Sequence, residues 1–195
     1  MKPPWLRTLA LATFGALIGG GLASAESRQI DVSQSTLTVH VSKSGLFSAF
    51  ADNHTIRAPL ASGTLSDEAP LAVQIAVRSA DLKVLDPDLA ASKREEVQTR
   101  MLGRDVLDVE HYPDITFAST SIDAAGANKW TVSGRLTIHG QTRPITFAVA
   151  QDNGRYRGSA TIKQRDFGIT PISIGGGAVK VKDELKIDFD ILPAR

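Results

Sequence analysis

Apolar and polar residues alternate with a period of two along most of this chain, and the alternation is most regular over Trp130–Phe147, W-T-V-S-G-R-L-T-I-H-G-Q-T-R-P-I-T-F. Trp130, Val132, Leu136 and Ile138 share one face, while Thr131, Ser133, Arg135, Thr137 and His139 share the other. Period two is the signature of a half-buried strand. After Gly140 the pattern resumes with Ile145, Phe147 and Val149. Two alternating runs around a short glycine-containing loop predict an antiparallel hairpin. Pro144 lacks a ladder donor and is expected at the first position of the returning strand.

The same logic predicts strands at Thr36–Lys43, with Leu37, Val39 and Val41 inward, and at His54–Leu65, with Ile56, Ala58 and Leu60 on one face. Pro59 and Gly63 mark an edge, bend or bulge in the latter. Further strands are expected at Leu71–Arg78, Asp114–Ile122, Arg155–Arg165 and Glu184–Leu192. Leu46–Phe50 sets two aromatics three residues apart, suggesting a turn or plug across one mouth of a barrel. Between the strands, Asp88–Leu102 is rich in helix formers, with Leu89, Val97, Met101 and Leu102 as a narrow stripe. Ser92 and Glu95 resemble a capping box, and Gly103 sits where a C-terminal cap belongs. Together these elements predict a mainly β chain: a single antiparallel eight-stranded barrel with one helical insertion, whose closure removes exposed edges. A barrel of about eight strands either fills with side chains or holds one small ligand.

The first residues change what the working protein contains. Lys2 and Arg7 precede the apolar run Leu9–Ile18, and Ala23-Ser24-Ala25 forms a small-x-small site, as in a signal peptide spanning residues 1–25 and cleaved after Ala25. Residues 26–195 then form one domain. The whole chain has 22 basic and 21 acidic residues. The leader removes two of the former and none of the latter, leaving a net charge of −1. No basic block suggests a nucleic-acid partner. The chain has no cysteine, which excludes disulfides, thiol nucleophiles and a lipidated cysteine. The periplasm or the external medium is the expected location, with no stable membrane insertion after cleavage.

Motifs that carry chemistry are few. His40, His54, His111 and His139 are dispersed and lack H-x-H or H-E-x-x-H spacing, so no metal is expected. Arg165-Asp166-Phe167-Gly168-Ile169 contains D-F-G without other kinase elements. It reads as a barrel corner in which Asp166 caps amides or pairs with Arg165. Gly175-Gly176-Gly177 lacks the residues of a phosphate loop and reads as a hinge or gate. No nucleophile–base arrangement is visible, and no catalytic residue is assigned.

Three stretches resemble the YceI-like family: Met101–Ile122, Val132–Phe147 and Ile162–Ile169, with a weaker match over Phe47–Leu65. Y-P-D-I-T-F-A-S-T paired with G-R-L-T-I-H-G-Q-T-R-P is the most specific part. The resemblance implies a periplasmic or secreted lipocalin-like barrel that binds a long isoprenoid or similar amphiphilic lipid. Under that implication Val39, Phe47, Phe50, Val73, Ile75, Phe117, Trp130, Ile138, Phe147 and Phe189 line the ligand tunnel. His54, Arg57 and Asp166 are head-group candidates. The expected ligand is a polyisoprenoid or quinone-like lipid, with no other cofactor; a homodimer is left open. Two other readings make different forecasts. A metal-dependent enzyme acting on a lipid-like substrate requires histidines converging with a carboxylate. A ligand-free, stress-related interaction module requires a filled interior.

Overall fold

The computed structural model describes residues 27–44, 53–174 and 179–194. The expected leader, Phe47 and Phe50 with their aromatic turn, and the Gly175–Gly177 loop lie outside the described residues.

The strands are β1 (Arg28–Gln29), β2 (Thr36–Ser44), β3 (His54–Arg57), β4 (Leu60–Ser66), β5 (Ala72–Arg78) and β6 (Lys83–Val84). A helix α1 (Ala91–Leu102) follows. Then come β7 (Asp114–Gly126), β8 (Lys129–Ile138), β9 (Gln141–Asp152), β10 (Arg155–Lys163), β11 (Ser173–Ile174) and β12 (Val179–Ile191). They form one curled antiparallel sheet in the order β1-β4-β5-β7-β8-β9-β10-β12-β2-β3-β6, with β11 beside β12.

Among the described residues, the mainly β, antiparallel character and one α-helix agree with the alternation, but the eight-stranded barrel is corrected to a sheet of twelve strands on an open path. Two causes account for the difference. The two-residue strands β1, β6 and β11 are too short to show a period. One expected strand, His54–Leu65, breaks at Ala58-Pro59 into β3, which pairs with β2, and β4, which pairs with β5. The break joins the two flanks of the curl through the chain itself.

The β8–β9 hairpin forms as expected, with Ile138 paired to Gln141 and both turn residues at positive φ, His139 at 50° and Gly140 at 69°. This is the twist-matched two-residue turn. Pro144 lies inside β9, opposite Arg135, rather than at its start. Counting from the Ile138–Gln141 closing pair, Arg135–Pro144 is a non-hydrogen-bonded pair, so the missing N–H faces β10. The β9–β10 ladder ends at Ala148–Ser159, which leaves no rung there for the proline to break.

The helix begins at Ala91 with Ala90 at its cap and no capping side chain, so the expected box does not form. Ser92 lies inside the helix's first turn and Glu95 just beyond it, so neither stands at the cap. Gly103 does terminate the helix, its N–H donating to the carbonyls of Thr99 and Arg100. Gln98 fastens α1 to the wall by accepting from Val84 N–H at 2.8 Å and donating to Leu82 O at 2.7 Å.

At the other end of the curl the chain before β2 closes the bottom. Ile30 bridges to Pro193 and packs with Leu60, Leu65 and Ile191. Arg28 ties this region to Asp67 at 2.8 Å and to the carbonyl of Ala194 at 2.9 Å.

Candidate functional site

The inward stripes do not meet in the middle. They surround a cavity of about 680 Å³, within the range of ligand sites. Val39, Val73, Ile75, Phe117, Trp130, Ile138, Phe147 and Phe189 all line it. Phe117 and Ile138 are buried, whereas Val39, Val73, Ile75, Trp130, Phe147 and Phe189 are only half-buried. Inward-facing side chains of a packed core lose nearly all their accessible surface. Here they retain part of it because they border a void.

Sequence reasoning missed the aromatic order within this wall. Phe117, Phe147 and Phe189 form a chain with ring centroids 5.4 and 5.3 Å apart, and Trp130 meets Tyr156 at 5.9 Å. Glycines make room for the rings. A side chain at Gly134 would collide with the Phe117 ring, and one at Gly158 would meet Phe189 at 2.5 Å. The signal was present as glycines at inward positions of regular strands, which mark close approach. Tyr156 lines the lower part of the cavity, and burial, with Asp67 next, pushes its phenol up from the usual value.

Lys93, Glu96, Val97, Arg100 and Met101 of α1, with Leu89 just before it, line the upper end. The stripe read from the sequence held the apolar members but not the charged ones. Arg100 and Lys93 both reach Glu96, at 3.6 and 3.2 Å.

The head-group candidates separate. His54 lines the cavity and its Nδ1 lies 2.6 Å from Oδ2 of buried Asp86, whose Oδ1 accepts Thr55 N–H at 2.8 Å. Arg57 is exposed and outside the cavity lining. Asp166 is exposed on a 3-10 turn (Gln164–Phe167), on an outer cleft shared with Arg143 and Lys163. The D-F-G segment is a corner, but Arg165 engages Asp183, its N–H donating at 3.0 Å, rather than Asp166. Phe167 is 1% exposed and fills the gap beyond the last β9–β10 rung.

The histidines have separate partners: His40 with Asp188 at 3.0 Å, His111 with Asp108 at 2.9 Å, and His139 against the Tyr112 ring at 4.3 Å. Among the described residues no three histidines or carboxylates are grouped as a metal would need. Among them, too, no helix is long and apolar enough to cross a membrane.

A family model described as a YceI-like domain matches residues 29–192. A UPF0312 protein of Pseudomonas putida W619 is 30% identical over 93% of this chain and 94% of its own length. Other P. putida relatives, of strains F1 and KT2440, are matched over 55% of their length at 33% identity. The crystal structure of BcnA from Burkholderia cenocepacia superposes with a TM-score of 0.65 at 22% identity, covering 85% of this chain and 99% of that one. A polyisoprenoid binding domain from Saccharophagus degradans, implicated in plant cell wall breakdown, gives 0.55 at 16%, covering 84% and 95%. These two likenesses establish the fold.

Proposed function

The chain belongs to the YceI-like family, and on that premise we propose that it is a binding or carrier protein for a long-chain isoprenoid or quinone-like lipid, working in the periplasm or outside the cell. The observation that carries the reading is the apolar void of about 680 Å³, bordered by half-buried residues of the inward stripes. A structural neighbour described as a polyisoprenoid binding domain supports it.

The physical chemistry is simple. An isoprenoid tail offers only apolar surface, and burying it is worth about 0.8 kcal/mol per methylene. About ten enclosed methylenes supply roughly 8 kcal/mol before ordering costs, enough for useful affinity without any covalent or metal bond. The role in this reading is binding rather than catalysis, which the family and the neighbour described as a polyisoprenoid binding domain support. A ligand-free module would have its interior filled, which the void speaks against.

The test is mass spectrometry of the organic extract of protein purified without detergent from an extracytoplasmic fraction. A stoichiometric polyprenyl or quinone species is the expected result. An empty extract, repeated after incubation with isoprenoids, would overturn the reading.

A further inference from the structure

The wall of the cavity is thin where β9 and β10 part. Their ladder stops at Ala148–Ser159, although β9 reaches back to Gln141 and β10 runs on to Lys163. Continued in the same register, Thr146 would face Thr161 and Pro144 would face Lys163. Neither pair forms, and Pro144 has no N–H to offer at the second. A cleft of about 350 Å³ opens there on the outer surface. Ile145, Ile162 and Phe167 line it, and the same three side chains line the inner cavity. Along the paired parts of β7–β10 a hydrogen-bonded backbone separates inside from outside; at the gap these three side chains do.

The Phe167 ring is held from one side. It rides on the 3-10 turn Gln164–Phe167, which closes at Gly168 with φ 75°. Gln164 Nε2 donates to the carbonyl of Lys182 at 2.8 Å and Arg165 N–H donates to Asp183 at 3.0 Å, so the turn is fastened to β12. Toward β9 it makes no hydrogen bond among the described residues, and the seam there is packing alone. Moving the ring aside forfeits apolar contact, whereas opening the wall at a rung would break backbone hydrogen bonds. The lower end offers no such weak place, since Ile30 fills it with Leu60, Leu65 and Ile191. The outer cleft carries Arg143 and Lys163 against Asp166 and Glu184, so it sets no net charge in the path of a passing molecule.

We propose that the β9–β10 gap is a side portal of the cavity with Phe167 as its gate, through which an aliphatic tail threads between the strands during uptake and release. This rests on the carrier reading and adds to it a route of exchange. A gate governs how fast the cavity fills and empties, so its signature is kinetic.

The absence of cysteine allows a direct test, because thiols placed across the gap meet no competitor. Thr146 and Thr161 are exposed and line the cleft but not the cavity. In the full chain carrying T146C/T161C, stripped of lipid, the two thiols are bridged with a short bis-methanethiosulfonate reagent. Uptake and release of cis-parinaric acid are then followed by stopped-flow fluorescence. Bridging is expected to slow both by at least about tenfold at unchanged Kd, and a reductant to restore them. A bridge in T131C/A148C, across an intact β8–β9 pair, is expected to leave the rates as they are. Phe167→Leu should speed both uptake and release, and exchange no faster than the parent's counts against the gate. Equal rates before and after bridging T146C/T161C, or equal slowing by the T131C/A148C bridge, overturn the portal and leave the carrier reading standing. Failure of the unbridged chain to bind cis-parinaric acid and also geranylgeraniol overturns both.

Discussion

Replacing Gly134 by alanine probes how the aromatic wall of the cavity is seated. Gly134 lies in β8 between Ser119 on β7 and Ile145 on β9. Its φ is not positive, so no turn geometry demands a glycine there. What demands it is space: an added Cβ would collide with the Phe117 ring and lie 2.6 Å from the carbonyl oxygen of Ala118. The ring is packed against Phe147, whose centroid is 5.4 Å away, and the carbonyl is held in the β7–β8 ladder. An ordinary Gly→Ala change within a strand gains about 0.5–1 kcal/mol. Overpacking typically costs about 1–3 kcal/mol, so the expected net loss is about 1–2 kcal/mol. For a domain of this size that lowers Tm by roughly 2–8 °C. Thermal and urea denaturation of lipid-stripped protein, followed by far-ultraviolet circular dichroism, measure it, since bound lipid would mask the change. Adding Phe117→Leu should recover at least about 0.5 kcal/mol relative to the sum of the single changes. A Tm for G134A at or above the parent's, or strict additivity in the double variant, would refute the seating of the ring on the glycine.

Four further outcomes are expected. Phe167→Ala should cost about 3 kcal/mol in urea unfolding, because a side chain only 1% exposed leaves a hole at the β9–β10 gap; a loss under about 1 kcal/mol would show that the gap is closed by something else. Asp86→Ala strands the Thr55 N–H and the His54 ring, so a loss of about 1–3 kcal/mol and faster amide exchange at Thr55 are predicted, and unchanged exchange would contradict them. Burial pulls the Asp190 carboxyl up, but hydrogen bonds from Arg157 and Arg155 bring it below 3.8, and the Lys186 hydrogen bond lowers Asp188. Their contribution is therefore complete above about pH 3.8 and lost as pH falls through the lowered values, and D190N should flatten the decline of Tm below pH 4, an identical slope counting against it. The Tyr156 phenol, raised by burial, should ionise above pH 10 in an absorbance titration compared with Y156F; ionisation at or below 10 would contradict its seclusion.

The wall was legible in the sequence because period-two alternation is a direct projection of a pleated strand. Val73 and Ile75 on β5, Phe147 on β9 and Phe189 on β12 all face the void as their stripes implied. The void itself was not legible, since a filled barrel and a hollow one impose the same alternation. The helix was found within three residues of its observed start, but the cavity-facing charges Lys93, Glu96 and Arg100 were not, because the stripe was traced on apolar residues alone. Arg57 and Asp166 fall outside the cavity lining for a related reason: proximity in sequence to a strand end says nothing about which side of the wall a polar group takes. His54 lines the cavity because it continues the inward phase of Ile56. The strand count failed at Ala58-Pro59, where one alternating run changes partners, an event that pairing reveals and periodicity does not.

The ends of the hydrogen-bond path bear on how the molecule behaves in a crowd. A sheet of twelve strands would ordinarily present two long rows of unpaired amides, each a nucleus for growth by a second copy. Here the path terminates in β1 and β6, two residues apiece. The one long interruption inside it, beyond Ala148–Ser159, is occupied by the turn carrying Phe167. Among the described residues, a chain adding at β1 or β6 would meet a two-residue strand, too short to repay the entropy of ordering a partner. The fold thus maintains a large apolar interior at high protein concentration without offering a template for polymerisation.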